Sequence, residues 1–167
     1  MTTNNSGMTK KELEGVTALG SVTRYPTQYD PSVLERFKNP NSSNDLVGLD
    51  CFEFSSLCPK THQPDFATIH IAYVPDEYMV ESKSLKLYLF SYRNHGAFHE
   101  RCINMIKDDL VELLKPKYLE VYGDFNSRGG ISILPFANYS VDEPEYKDMK
   151  LKRQLAVINS LMSHVKR

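Results

Sequence analysis

The sequence lacks several features that would assign it at once to a class of protein. It has no tryptophan and only three cysteines among 167 residues, and an odd, small number of cysteines does not make a secreted disulfide framework. No apolar run approaches the roughly 20 residues needed to span a bilayer, and the polar stretch 1–11 lacks the apolar core of a signal peptide. These absences predict a cytoplasmic protein with reduced thiols.

The sequence also has almost no net charge and no common cofactor motif. The formal net charge is -1, so nothing indicates a nucleic-acid-binding surface. No Cys-x-x-Cys pair suggests zinc, and no Gly-x-Gly-x-x-Gly follows a strand, which excludes a Rossmann cofactor site. We expect no metal centre. A site made of Cys58, His62 and Cys102 is an alternative, although its spacing matches no zinc motif.

The residues that are present suffice for one domain. The composition is 41% hydrophobic and 25% charged, which is typical of a globular domain with its own core. Residues 1–12 are polar and are expected to be a flexible N-terminus, and residues 13–167 to form the domain. The proline-rich stretch 13–44 is expected to be irregular structure wrapped on that domain.

The hydrophobic pattern predicts an α+β fold in the order strand-strand-helix-helix-strand-strand, followed by one more helix. Alternating residues predict strands at Leu46–Phe54, Asp65–Val74, Tyr118–Phe125 and Gly130–Phe136. Apolar stripes predict helices at Ser84–Tyr92, Phe98–Leu114 and Tyr146–His164. The leucines of the first helix also alternate as in a strand, but the serines before it offer caps, which favours a helix.

Cys58 is the first candidate for chemistry. It lies in the connection between the first two strands, which Pro59 and Pro64 stiffen. Asp65 begins the returning strand, so a hairpin brings its carboxyl group back toward the thiol. A thiolate can attack an electrophilic carbon while an acid protonates the atom that the attack makes basic. From the residues alone, a buried structural cysteine is an equally good interpretation.

Two short basic motifs are candidates for binding phosphate. The stretch 81–86 places two lysines, serine hydroxyls and free helix N–H groups at a helix start. Arg128 and Gly129 combine a guanidinium with a backbone that a ligand can approach closely. A solvated helix face and a hairpin turn are the plainer interpretations of these motifs.

The long helix opens with His99 and Glu100. A carboxylate in the first helical turn is favoured by the helix dipole. It can also accept two hydrogen bonds from the edge of a guanine-type base.

Together these motifs resemble the short, single-domain 7-cyano-7-deazaguanine reductase family. The resemblance covers about Leu13 to Tyr139, and the segments that carry it are 53–61, 63–67, 80–86, 91–95, 98–100 and 128–130. It implies the tunnelling fold (T-fold) shared with GTP cyclohydrolase I. It also implies pentameric rings that stack into decamers, with active sites between neighbouring subunits.

The resemblance implies an NADPH-dependent reduction of a nitrile to a primary amine in queuosine biosynthesis, a tRNA modification. Cys58 would form a covalent thioimide with the nitrile carbon, Asp65 would protonate the nitrogen and His99 would assist proton transfer. The substrate-binding residues would be Val80, Glu81, Ser82, His99 and Glu100. The NADPH-binding residues would be Ser82, Lys83, Lys86, Arg128 and Gly129.

Three other functions compete with this one. A GTP cyclohydrolase of the same fold needs a zinc-bound water, and its ligand set is missing here. A non-catalytic, purine-binding ring protein would use Cys58 only structurally. A cysteine hydrolase lacks a convincing histidine partner, since His62 lies in the same short loop.

A separate hypothesis concerns Cys102, which lies one helical turn after His99. We expect Cys102 to form a reversible disulfide with Cys58 that protects the nucleophile from overoxidation.

Overall fold

The structure is a computed structural model that describes residues 14–18, 20, 22–41 and 45–163 of the chain. The flexible N-terminus predicted for residues 1–12 lies outside the described residues, as does His164, the predicted end of the last helix. The described part contains both ends of every other predicted element.

The described residues form six strands and three α-helices. The strands are β1 (Arg36–Lys38), β2 (Val47–Leu57), β3 (Pro64–Val74), β4 (Tyr78–Val80), β5 (Tyr118–Phe125) and β6 (Phe136–Ser140). The helices are α1 (Ser82–Phe90), α2 (His99–Leu114) and α3 (Pro144–Ser163). Short 3-10 segments cover Pro31–Val33 and Ser91–Asn94. None of the described helices is long and apolar enough to cross a membrane.

A four-stranded antiparallel sheet in the order β2-β3-β5-β6 is the frame of the molecule. Its longest part is the β2-β3 hairpin, in which Val47 pairs with Tyr73 at one end and Leu57 with Pro64 at the other. The short strands β1 and β4 pair separately. The predicted α+β class and the order strand-strand-helix-helix-strand-strand are therefore confirmed. The predicted last helix is present as α3, and β1 and β4 are additional strands.

One face of the sheet packs against α2. Residues on that face of β3 alternate with exposed ones, as expected for a strand with one buried side. The helix contributes a fully buried stripe to the same core: Cys102, Ile103, Ile106, Leu110 and Leu114. The packing at Gly123 of β5 leaves no room for a side chain, because a Cβ atom there would lie 2.8 Å from Ile103 Cδ1 and 2.8 Å from a ring carbon of Phe125.

The opposite face of the sheet carries α3. Arg153 donates two hydrogen bonds to the Glu120 carboxylate, at 2.9 and 2.7 Å. The Asn138 amide donates to the Lys150 carbonyl at 3.1 Å, and Tyr146 is buried against the end of the sheet. Glu120 lies between two core-facing residues of β5, so its side chain points away from α2. Polar contacts and the packing of Tyr146 therefore both hold α3 on the second face.

Three details of the prediction were wrong. The strand predicted at Gly130–Phe136 begins only at Phe136, because Gly129 and Gly130 have φ of +59° and +79° and form a turn, and Pro135 has no N–H for a ladder. Helix α1 begins two residues earlier than predicted. The stretch predicted to be irregular contains β1, which at three residues is too short to show a periodic pattern.

Candidate active site

Cys58 follows β2 directly and lies in a loop that its own backbone closes. The Cys58 N–H donates to the Gln63 carbonyl at 2.9 Å, and the His62 N–H donates to the Cys58 carbonyl at 3.0 Å. His62 adopts a left-handed φ of 55° to complete the turn. The loop therefore fixes the thiol at the end of the hairpin, where it is partly exposed.

The loop also stabilises the thiolate of Cys58. Hydrogen bonds from the Thr61 hydroxyl and from the N–H groups of Thr61 and Lys60 lower the pKa of Cys58 below its ordinary value, although the Asp65 carboxylate opposes this. Burial has the opposite effect on the other two thiols and raises the pKa of Cys51 and Cys102 to about 11. Of the three cysteines, Cys58 is thus the one suited to act as a nucleophile.

Asp65 is the second residue of β3 and is almost completely buried. Its Oδ1 accepts a hydrogen bond from Arg128, whose other terminal nitrogen donates to the Gln63 side chain. His99 Nε2 lies 3.3 Å from the same Oδ1 atom. The carboxyl group therefore lies between a guanidinium and an imidazole, next to the loop that holds Cys58.

His99 is the first residue of α2, and its ring is also fixed by packing. The ring centroid lies 4.1 Å from that of Phe125, so Phe125 of β5 packs against the imidazole. Glu100 follows in the first turn with an exposed side chain. The structure thus brings together the three predicted catalytic residues, Cys58, Asp65 and His99, with Glu100 beside them.

Two contributors to this site were missed from the sequence. Thr61, which stabilises the thiolate, could have been suspected because its hydroxyl lies in the same tight turn as Cys58. Arg128 was assigned to NADPH, but in this chain its guanidinium is bound to Asp65, 63 positions away along the chain. Nothing in the sequence signals that pairing, since the adjacent Gly129 and Gly130 indicate only a turn.

Glu81 caps α1. Its buried carboxylate accepts hydrogen bonds from the N–H groups of Lys83, at 2.9 Å, and Ser84, at 2.7 Å. The prediction of free helix N–H groups for a phosphate was therefore wrong at these two positions. The Lys83 ammonium donates to the Ala18 carbonyl at 2.7 Å, which leaves Ser82 and side chains farther along α1 as the available phosphate ligands.

Ser82 and Lys86 line a groove of about 510 Å³ between α1 and β2. The Lys86 ammonium lies 5.8 Å from the centre of the Tyr25 ring, and Arg93 extends from the following 3-10 segment to the same groove. Neither Lys86 nor Arg93 forms a salt bridge with a carboxylate among the described residues. The groove therefore offers two cations and an aromatic ring to a ligand, although the carboxylates of Asp50 and Glu53 also line it.

Within one chain, the Cys58 site and the start of α1 lie toward opposite ends of the long hairpin. The Val80 N–H donates to the Tyr73 hydroxyl at 3.3 Å. Tyr73 lies close to the end of β3, about 26 Å along the strand from Asp65. Val80 and Glu81 are therefore far from Cys58 of their own chain.

The described residues contain no cluster that suits a metal ion. No three His, Cys, Asp or Glu side chains in the described ranges come close enough to hold one. The alternative site made of Cys58, His62 and Cys102 does not form among them. Both Cys58 and Cys102 are free thiols, so the disulfide hypothesis stays a prediction.

Comparison with known proteins places this geometry in a family. Residues 64–144 match a family model described as QueF-like protein. A Helicobacter pylori (strain J99) protein named NADPH-dependent 7-cyano-7-deazaguanine reductase is 63% identical over 139 residues, covering 83% of this chain and 93% of the relative. The chain belongs to this reductase family. A Bacillus velezensis reductase of the same name is 58% identical over 152 residues, covering 89% of this chain and 93% of the relative.

A solved structure supports the same fold for this reductase family member. The crystal structure of the archaeosine synthase QueF-Like in the apo form aligns with a TM-score of 0.56 at 20% sequence identity, covering 61% of this chain and 100% of that chain. At this identity the likeness concerns the fold alone. The fold is the α+β tunnelling fold that the sequence motifs implied.

Proposed function

We propose that this protein is an NADPH-dependent 7-cyano-7-deazaguanine reductase, which converts a nitrile into a primary aminomethyl group with two equivalents of NADPH. One observation carries the proposal: a partly exposed thiol of lowered pKa lies beside a buried carboxyl group that is held by Arg128 and His99. Curated relatives with this name cover most of the chain.

The first chemical step uses Cys58 as a covalent handle. A nitrile is a poor hydride acceptor, whereas the thioimide formed by attack of the thiolate on the nitrile carbon is a better one. In that attack the S–C bond forms, the third C–N bond breaks, and its electron pair goes to nitrogen. That nitrogen takes up one proton.

Asp65 is placed to take the proton that leaves the Cys58 thiol and to pass it to this nitrogen, directly or through His99. His99 Nε2 and Asp65 Oδ1 are 3.3 Å apart, so a proton can pass between them. Arg128 fixes the orientation of the carboxyl group from the other side.

The groove beside α1 fits a phosphate-bearing cofactor. NADPH supplies the hydride when it is bound. Lys86 and Ser82 would hold it, with the ring of Tyr25 offering a stacking surface. Lys83 and Arg128, also expected to bind NADPH, make other contacts in this chain and would have to exchange them on binding.

The assembly proposed with this function is a pentameric ring that stacks into a decamer. The wide separation of Val80 and Glu81 from Cys58 within one chain supports it, because a neighbouring subunit could supply the substrate-binding residues Val80, Glu81 and Ser82. His99 and Glu100 would complete the substrate pocket from the side of Cys58. The enzyme would act on a small molecule in the cytoplasm, in the biosynthesis of the tRNA nucleoside queuosine.

The decisive experiment follows NADPH absorbance in the presence of 7-cyano-7-deazaguanine. We expect wild-type protein to oxidise two NADPH per nitrile, Cys58→Ala to be inactive, and Thr68→Val, a change in β3 outside the proposed site, to keep its activity. Wild-type protein that consumes no NADPH would refute the proposal. Activity retained in Cys58→Ala would refute the covalent mechanism.

A second measurement isolates the covalent step. Incubated with the nitrile and no NADPH, wild-type protein should gain the full mass of the substrate, since addition to a nitrile expels no leaving group. Cys58→Ala should gain no mass. A purine-binding protein without catalysis would bind the nitrile but show no mass change.

A further inference from the structure

Helix α3 presents a row of apolar residues to solvent. Four large side chains lie between 50% and 58% exposed: Leu151, Leu155, Ile158 and Met162. On the side that faces the sheet, Arg153 lies among the apolar side chains of Tyr146, Met149 and Val157. A surface helix normally keeps its apolar residues on the core side alone, so a second apolar row on the solvent side is unusual. We call these four residues the α3 stripe.

The α3 stripe cannot turn inward, because the other side of the helix is fixed to the sheet. Arg153 forms a bidentate ion pair with Glu120, and Gln154 donates to the Asn138 side chain at 3.1 Å. At 100° per residue, Arg153 lies almost opposite the centre of the stripe. The exposure is therefore a property of the docked helix.

The spacing of the stripe is that of a helix–helix seam. Successive members are four, three and four residues apart, which is the a/d pattern by which helices interlock side chains. This order of spacings is the same in both directions along the helix. The stripes of two antiparallel copies of α3 therefore have matching spacings. The segment 154–163 contains no charged residue, so two such faces can meet with little charge to desolvate.

The undescribed parts of the chain do not offer a matching partner. Residues 1–13 contain only three large apolar residues, Met1, Met8 and Leu13, and residues 164–167 contain only Val165. The other undescribed positions, 19, 21 and 42–44, are single residues or a three-residue stretch and add only Leu19. None of these segments carries a stripe of four apolar residues at helical spacing. The same stripe on another copy of this chain is the partner that fits.

We propose that the α3 stripe packs against the α3 stripe of other copies of this protein. The stripe exposes on the order of a few hundred Å², whereas a stable interface buries about 800 Å² per partner. The helix contact is thus one part of a larger interface between copies. The inference extends the proposed ring assembly, and it does not depend on the reaction.

The experiment measures the mass of the assembly by sedimentation velocity over a range of protein concentrations. We expect wild-type protein to be oligomeric. Leu155→Glu and Ile158→Glu should raise the concentration at which the assembly dissociates by about tenfold or more, because each copy would bring a charge into the seam. Asn159→Glu, which adds the same charge beside the stripe, should have a much smaller effect.

Circular dichroism tests whether the variants remain folded. The stripe is exposed in the single chain, so the variants should retain the helical signal; if a glutamate variant does not, Ile158→Ser should weaken the assembly while preserving the fold. Stripe variants that keep the wild-type mass at every concentration would overturn the inference. A monomeric wild type would overturn the ring assembly as well. If the stripe variants dissociate the assembly but the wild-type protein oxidises no NADPH, the result would contradict the proposed reaction and leave the α3 contact supported.

Discussion

At the scale of single residues, the site depends on how short-range contacts set the chemistry of two groups. Cys58 gains its low pKa from a loop of its own neighbours, so most of that effect is encoded locally. Asp65 gains its partners from distant parts of the chain, Arg128 in the β5–β6 connection and His99 at the start of α2. The loop around Cys58 therefore lowers the pKa of the nucleophile, and contacts between distant segments position the proposed acid Asp65.

The pKa of Cys58 can be tested through its alkylation rate. Only the thiolate reacts, so the rate should rise with pH and level off above a midpoint that lies below the ordinary thiol value of about 8.5. Thr61→Val removes the hydrogen bond that lowers the pKa most, so the midpoint should move to higher pH. Thr68→Val, in β3 and outside the Cys58 loop, serves as the control. An unchanged midpoint in Thr61→Val would contradict the role assigned to Thr61.

Arg128 can be tested as a positioning residue. Without its guanidinium, Asp65 loses the partner that orients it, so Arg128→Ala should slow formation of the covalent adduct on the order of 100-fold. The adduct forms in the absence of NADPH, so this measurement does not depend on cofactor binding. Arg128→Lys should restore only part of the rate, because an ammonium lacks the planar fork. An unchanged adduct rate together with a raised KM for NADPH would assign Arg128 to the cofactor instead.

At the scale of elements, two contacts position the helices on the sheet. Gly123 allows α2, which carries His99, to pack closely on β5. Arg153 and Glu120 hold α3 on the opposite face. The first contact depends on the lack of a side chain at Gly123, so an added methyl group should disrupt it. The second depends on a charged pair, so removal of one charge should disrupt it.

Gly123→Ala should destabilise the protein by about 1–3 kcal/mol, because the added methyl group overlaps the Ile103 side chain and the Phe125 ring. Gly48→Ala is the matched control, since a Cβ atom at that position of β2 meets nothing within 4 Å. Denaturant unfolding monitored by circular dichroism would measure both. Equal stabilities of the two variants would show that the α2–β5 contact has room for the added methyl group.

Arg153→Ala should cost about 1–3 kcal/mol of unfolding free energy, since it leaves the mostly buried Glu120 carboxylate without its cation. In a double-mutant cycle, the effect of Arg153→Ala should be smaller in a Glu120→Gln background. Additive effects of the two substitutions would show that the pair does not contribute as a unit.

At the scale of the whole molecule, the proposed active site would draw on more than one chain. Cys58 and Asp65 lie at one end of the hairpin, and Val80 and Glu81 lie near the other. Under the proposed assignment, a single chain therefore carries both groups of site residues without bringing them together. Copies arranged in a ring could join the two halves.

This division predicts complementation between inactive subunits. When Cys58→Ala and Glu81→Ala chains are co-assembled in equal amounts, about one quarter of the sites should receive an intact Cys58 from one chain and an intact Glu81 from its neighbour. Activity should recover to that extent. Co-assembled Cys58→Ala and Asp65→Asn chains should stay inactive, because those two residues come from one chain. No recovery in the first mixture would place Glu81 outside the site that contains Cys58.

The sequence by itself determined the order of the main strands and helices, the hairpin that carries Cys58 and Asp65, and the motifs of the reductase family. These features depend on hydrophobic periodicity and on neighbours in the chain. Only the tertiary structure revealed that Arg128 binds Asp65, that Glu81 takes the helix N–H groups expected to bind phosphate, and that α3 turns its apolar stripe outward. Each of these depends on contacts between distant segments or on the direction a side chain takes, which local pattern does not encode.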